Sequence, residues 1–488
     1  MIMKKINQFS INTEKDPYKK SRDLVNFIEK QLNKKNFKIF IKRYSKATGL
    51  PKGILDYEIK QILSRTHNFE NGRFKSIFNF TNIFKSSFIF FFTTLYILIF
   101  SKKMKKNIFF DVIFDEIESM EELSRINILK KNFKSYGVIS NTKNFKNINL
   151  FYFNKFKYCD KKYILSNFYL FFIGYLIIAI KFSIKEKCNY IPLAANLIKQ
   201  NIKYRTIFGQ VKANHLHQER HYTTSSIKNY LFKRFGGKTV SCIQKNLIHL
   251  HSTGFYINTD IFFTLGRKTS LTIKFCGSKI KKIIPVGSIY IESKWLKSKK
   301  IKVPEYDIIN FGGNNMFKFA TNKNFLKNYY ETFNWLNKIS KEYPNLRIAV
   351  KHHFNNKYVD PMEIKILKKS NVKIIVSKGE ADKNYSYGYA FKAKFACTFA
   401  STIAYELIGH NKPCFFLDPD GKNLEFLNNE RYNNNWKIKS YHEFKKKVEE
   451  FLITKKKYSV KDKENFCLKS DNVSRKIANI LKIYKNKI

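Results

Sequence analysis

Short apolar, strand-like segments alternate with helical stretches in two long runs, and no other feature of this sequence restricts its fold as much. In the first run, Asn107 to Ile117 (NIFFDVIFDEI) reads as a strand, Glu118 to Lys134 as a helix and Ser135 to Ser140 as a second strand. Further strand signals follow at Ile148 to Phe153, Lys238 to Gln244, Asp260 to Leu265 and Lys282 to Val286. Lys297 to Glu305 (KSKKIKVPE) is charged, short of large apolar residues and closed by Pro304, so it reads as a linker. In the second run, strands are expected at Tyr306 to Phe311, Leu346 to Lys351, Val372 to Val376, around Phe395 to Thr398 and at Pro413 to Leu417. Helices are expected at Asn322 to Tyr343, at Asp360 to Ser370 and from Ser401, with a Tyr/Gly/Ser-rich loop before Phe395.

Parallel strands need long crossovers, and helices of this spacing supply them. The expected class is therefore α/β, with two Rossmann-like domains facing a cleft and extra helices at both ends. Ligands of such folds bind at the carboxyl ends of the strands. The expected divisions are a basic helical region 1–105, a first domain 106–297, the linker 298–305, a second domain 306–440 and terminal helices 441–488.

Core material is ample, with 44 % hydrophobic residues, 48 Phe and 29 Tyr, which excludes global disorder. The formal charge of +55 points to polyanions: nucleic acid, anionic lipid or phosphorylated substrates. Enrichment of Lys together with Asn, Ile, Phe and Tyr is also what compositional drift produces, and the lysines form no stripe of the kind that marks nucleic-acid binders. Seven widely spaced cysteines without a CxxC pair argue against a disulfide framework or a zinc site. The segment Met1 to Asp16 lacks the apolar core of a secretory signal.

Two lysine-bracketed apolar runs, Ser86 to Phe100 and Tyr163 to Ile180, raise a membrane question. A spanning helix needs about 20 apolar residues, so the first is short and the second borderline. Both are expected to be buried or to lie in the headgroup layer, with one or two spanning helices as the alternative.

The segment Thr398 to Asn423 (TFASTIAYELIGHNKPCFFLDPDGKN) resembles the nucleotide-binding half of GT-B transferases that build bacterial capsule and lipopolysaccharide. These include CDP-glycerol glycerophosphotransferases and enzymes using CMP-linked sugars. The matching positions are Ser401, Thr402, Glu406, Lys412 and Pro413. Ser401 and Thr402 would cap a helix whose N-terminus faces a diphosphate, and Glu406 would accept bonds from ribose hydroxyls. Lys351-His352-His353 resembles the K-x-H segment beside the donor, with His353 the aligned residue and Phe354 where relatives often have Pro. Asn384-Tyr385-Ser386-Tyr387 resembles the segment that covers the nucleotide. The first half matches more loosely. His217-Gln218-Glu219-Arg220 introduces a helix, GGKTVSCIQ ends at Gln244 with Lys245 where relatives commonly have His, and Pro285-Val286-Gly287-Ser288 resembles a PVGS turn.

The resemblance implies a glycosyltransferase that moves a sugar from a nucleotide-activated donor to a glycan or lipid-linked acceptor. Its donor residues would be Lys351, His353, Ser386, Ser401, Thr402 and Glu406. For the acceptor proton the candidates are Glu116 and Glu219, with Asp115, Glu118 and His221 nearby in sequence. No DxD-type metal pair stands out, so neither an obligatory metal nor a cofactor is expected. The implied place is the cytoplasmic face of an anionic membrane, with no nucleic-acid partner. The alternatives are a CDP-glycerol-like polyol-phosphate transferase, a sugar-nucleotide epimerase and a non-catalytic polyanion-binding protein.

Overall fold

The computed structural model describes residues 19–65, 69–70, 73–74, 80–100, 108–117, 120–140, 150–152, 161–167, 174–245, 255–267, 269, 273, 276–292, 306–312, 323–352, 359–376, 383–421, 436–458 and 463–485. They fall into two compact units. One comprises Lys20–Phe263, Ile273–Ile284 and Ile477–Ile488, and the other is built on Thr264–Thr272 and Pro285–Lys476. The expected linker lies outside the described residues.

The first unit opens with helices α1 (Lys19–Leu32), α2 (Lys35–Thr48) and α3 (Lys52–Arg65), a two-stranded hairpin of β1 (Phe69–Glu70) and β2 (Arg73–Phe74), and helix α4 (Phe80–Phe100). Then come β3 (Ile108–Ile117), α5 (Met120–Leu129), β4 (Tyr136–Ser140) and β5 (Leu150–Tyr152). Helices α6 (Lys161–Ser166), α7 (Tyr175–Glu186) and α8 (Ile191–Gln210) lead into β6 (Val211–Gln218), α9 (Ser226–Arg234), β7 (Thr239–Ile243), β8 (Asn258–Thr264) and β9 (Lys279–Pro285). The sheet runs β5-β4-β3-β6-β7-β8-β9, and every pairing from β5 to β8 is parallel.

The N-terminal helices belong to this unit's core. Helix α2 turns Phe37, Phe40, Ile41 and Tyr44 inward at helical spacing, and Gly49 ends it in the left-handed conformation that glycine adopts freely. Phe37 and Phe40 meet Phe182 with ring centroids 4.7 Å apart, and Tyr44 meets Tyr175 at 4.7 Å. Burying each such ring contributes about 1.5–3 kcal/mol. On α3, the buried Glu58 accepts from Ser225 Oγ at 2.9 Å and the Ile227 amide at 3.1 Å, while Gln61 Oε1 accepts from the Ser226 amide at 3.0 Å. Two orphan donors at the start of α9 are thus satisfied from another helix, and the N-cap Ser225 Oγ accepts the Lys228 amide.

The apolar runs diverge in outcome. The first forms the continuous helix α4. The described parts of the second lie in α6 and α7, with residues 168–173 outside the described residues, and at the end of α6 Ser166 Oγ and Asn167 Nδ2 both donate to the Tyr163 carbonyl, at 3.1 and 2.9 Å.

The second unit contains β10 (Ile308–Phe311), α10 (Lys323–Glu342), β11 (Ile348–Lys351), α11 (Pro361–Leu367), β12 (Lys373–Ile375), α12 (Lys383–Lys392), β13 (Phe395–Thr398), α13 (Ile403–Gly409), β14 (Cys414–Leu417), β15 (Lys437–Ile438) and α14 (Tyr441–Val448). Helix α15 (Val473–Lys485) ends the described chain. The sheet order is β12-β11-β10-β13-β14-β15, parallel throughout. Its strands β10, β11, β13 and β14 are buried on both faces while the edge strand β12 is partly exposed, and Phe333, Leu336 and Ile339 of α10 pack over Ile308, Val350 and Phe395. The protein is α/β, with two Rossmann-like sheets as the sequence predicts. Two local readings differ: the segment around Tyr385 to Tyr389 is the helix α12 rather than a loop, and His217 and Gln218 end a strand rather than leading straight into a helix.

Candidate functional site

In each sheet the chain reverses its direction of travel once. From β3 it moves outward through β4 to β5, then returns beside β3 with β6 and moves the other way. From β10 it moves to β11 and β12, then returns beside β10 with β13. At such a switch point the crossovers leave on opposite faces, and a crevice opens outside the carboxyl ends of the two central strands.

The β3/β6 switch point carries a dense polar cluster. Pairing of β3 with β4 slips between Phe114 and Ile117, so a bulge falls at Asp115 and Glu116. Asp115 is buried and lies 2.7 Å from Lys228 Nζ of α9. Beside it, Glu219 is wholly buried and takes Arg125 Nε of α5 on Oε2 at 2.9 Å. His217 Nδ1 shares a hydrogen bond of 2.9 Å with Ser241, and its Nε2 faces Glu219 Oε1 at 3.6 Å, beyond hydrogen-bond reach. Glu122 gathers Arg220 Nε and Lys245 Nζ on one oxygen, each at 2.6 Å.

Burial dominates the electrostatics here. It raises the Glu219 carboxyl above the usual carboxylate range, against the pull of Arg125. It lowers His217 to about 3, helped by Arg125, so that imidazole is neutral at physiological pH. The Lys245 ammonium is also lowered by burial, although Glu122 opposes the shift. A buried carboxyl displaced toward neutrality is suited to taking and returning a proton.

Of the sequence candidates, Glu219 stands in this cluster and Glu116 is the penultimate residue of β3, with its side chain outside the described residues. Glu118 also lies outside them. His221 is buried and accepts the Lys245 amide on Nδ1 at 3.2 Å. Nothing in the sequence singles out Glu122 and Arg125. Their i,i+3 spacing on α5 looks like an ordinary solvated pair until β6 is placed beside β3.

In the second unit, the PVGS turn and the NYSY segment meet on one carboxylate. Glu406, buried on α13, accepts from Ser288 Oγ and, at 2.9 Å, from the Tyr387 hydroxyl. Ser288 belongs to the PVGS turn and Tyr387 to the NYSY segment. Both carboxylate oxygens therefore hold protein hydroxyls, where the sequence reading had them facing ribose. Gly287 explains its own presence in the turn: φ is +97°, and a Cβ there would sit 2.4 Å from the Leu468 carbonyl oxygen. Gly287→Ala is expected to displace Ser288 and lower the thermal unfolding midpoint by several degrees. An unchanged midpoint would show that the turn relaxes freely.

Ser401 and Thr402 follow β13 at the switch point and are both half-buried. Thr402 occupies the N-cap position with helical φ and ψ and makes no side-chain cap bond. The start of α13 is held instead by backbone carbonyls, with the Ala404 amide on Ser401 at 3.2 Å and the Tyr405 amide on Thr402 at 3.0 Å. The expected hydroxyl caps are thus absent from this pair. Lys351 ends β11 and is buried. His352 is turned into the fold, 2.9 Å from Glu363, which also accepts from the Tyr329 hydroxyl at 2.6 Å. Ser386 lies half-buried on α12, and His353 lies outside the described residues. Among the described residues no group of three or more His, Cys, Asp or Glu side chains is placed to hold a metal ion.

No protein-family profile matches the chain. No curated protein matches it in sequence either. Solved structures do. One is a UDP-GlcNAc 2-epimerase from Neisseria meningitidis bound to UDP-GlcNAc, at 10 % identity and TM-score 0.48, covering 77 % of this chain and 99 % of that one. The UDP-GlcNAc 2-epimerase of Methanocaldococcus jannaschii aligns at 14 % identity and TM-score 0.46 over the same shares. The wall teichoic acid polymerase TagF aligns at 10 % identity and TM-score 0.43, covering 84 % of this chain and 99 % of that one.

Proposed function

We propose that the protein is a GT-B-type glycosyltransferase that moves a sugar from a nucleotide-activated donor to a surface glycan or lipid-linked acceptor. What supports this reading is the placement of polar side chains at the switch point of each sheet, together with the convergence of Ser288, Tyr387 and Glu406. In this account the second unit holds the donor: Ser401, Thr402, Lys351 and Ser386 meet the nucleotide or its phosphates, and His353 joins them. Glu406 positions Ser288 and Tyr387. In the first unit the carboxylates proposed for the acceptor proton are Glu116 on β3 and Glu219, the latter becoming available only if substrate binding opens its buried pair with Arg125. The leaving diphosphate is stabilised by backbone amides and cationic side chains, without an obligatory metal.

The test is to incubate the protein with CMP-, CDP-, UDP- and GDP-linked donors, with and without a membrane extract as acceptor. Nucleotide release that requires the acceptor and survives EDTA is expected. Isomerisation of a donor alone would instead mark an epimerase, and transfer from CDP-glycerol only would mark a polyol-phosphate transferase. Binding of RNA with no donor turnover would sink the enzyme reading.

A further inference from the structure

Helix α4 presents an exposed apolar face. Phe84, Phe88, Phe91, Phe92, Tyr96 and Ile99 are all exposed, Phe84 to 74 %, and their spacing places them along one side of the helix. It is the one helix among the described residues long and apolar enough to cross a bilayer. At 21 residues it measures about 31 Å, close to the thickness of a hydrocarbon core. Length alone would favour crossing.

The opposite face decides against it. Ile83 and Thr94 are buried there, and Leu98 packs against the same core. Asn189 Nδ2 donates to the Asn82 carbonyl at 3.4 Å and to Ser86 Oγ at 3.2 Å, while Lys161 Nζ reaches the Ile99 carbonyl at 3.3 Å. These attachments lie near the two ends of the helix, so it is fastened to the fold along its length. A crossing helix would carry its neighbour α8 into the hydrocarbon with it, and α8 bears Lys199, Gln200 and Lys203.

We propose that α4 lies in the plane of a lipid bilayer, its aromatic face sunk among the headgroups and upper acyl chains and its inner face on the protein. Charge favours an anionic bilayer. Lys85 lies on the helix, Lys102, Lys103, Lys105 and Lys106 follow it in sequence, and the whole chain carries +55. The proposal stands whether or not the transferase reading is correct.

Flotation of the full chain with vesicles of phosphatidylethanolamine and phosphatidylglycerol tests it, with phosphatidylcholine vesicles as the uncharged control. The wild-type chain should float with the anionic vesicles and be released by alkaline carbonate. Phe88→Glu/Phe92→Glu should keep the wild-type circular dichroism and melting curve, because both residues are exposed, while partitioning about a hundredfold less. Equal flotation of the double variant would place the contact elsewhere. Release by detergent only would show that the helix spans. A lipid-free dimer that the double variant converts to monomer, with no flotation, would show that a second copy covers this face.

Discussion

Replacing Arg125 with alanine is expected to destabilise the first unit by about 3–5 kcal/mol, the cost typical of breaking a buried ion pair. Arg125 and Glu219 are both almost wholly inaccessible, so water cannot replace the guanidinium that meets the carboxylate at 2.9 Å. The size of the loss should depend on pH, and the direction follows from Glu219. Burial already raises this carboxyl, and Arg125 is the main influence holding it down. Without Arg125 it climbs further, so the folded variant keeps a proton that the unfolded chain has lost. Stability then falls as pH rises from the ordinary carboxylate value through the folded-state value, more steeply than in the wild type. Denaturant unfolding at several pH values measures this. Arg125→Ala/Glu219→Gln should recover part of the loss and flatten the pH dependence. A single variant as stable as the wild type at neutral pH would mean that Glu219 is already protonated in the fold.

The second large effect is expected at Glu406→Ala. Two hydroxyls, from Ser288 and Tyr387, donate to this carboxylate, and hydrogen bonds to a charged group contribute about 1.5–3 kcal/mol each. Both the PVGS turn and α12 should loosen together, lowering the unfolding midpoint and weakening nucleotide binding. Glu406→Gln keeps an oxygen of the same shape and should lose less of both. Loss of nucleotide affinity in the alanine variant without any loss of stability would contradict a positioning role and favour direct contact with the ligand.

Much of the fold was legible because most strands are apolar and bounded by turn residues. Ile108–Ile117, Ile348–Lys351 and Cys414–Leu417 match their expected segments closely. The strand that matters most for the site was not. β6 reads VKANHLHQ, and a central strand is expected to be apolar on both faces. Its His215, His217 and Gln218 are buried all the same, with Ser241 bonded to His217 and Asn229 to Gln218. The polar residues that make β6 unlike a strand are those that build the cluster. α12 was missed for another reason: KNYSYGYAFK is rich in residues that favour turns, and Ala390 and Phe391 are held by burial rather than by propensity. Glu406 and Ser288 both belong to recognisable motifs, but their contact joins positions 118 residues apart and no local pattern announces it.

The central claim is that a nucleotide diphosphate binds outside the carboxyl ends of β10 and β13. Calorimetric titration of CMP, CDP, UDP and GDP into the wild-type chain and into Ser401→Asp tests it most directly. Ser401 is half-buried, accepts the Ala404 amide on its backbone carbonyl, and should accept the change without unfolding. A carboxylate there would repel a phosphate. The account predicts that at least one diphosphate binds the wild type and that Ser401→Asp weakens it about tenfold or more, which corresponds to ~1.4 kcal/mol. Equal affinity in the two proteins, or no binding of any nucleotide to the wild type, would contradict it.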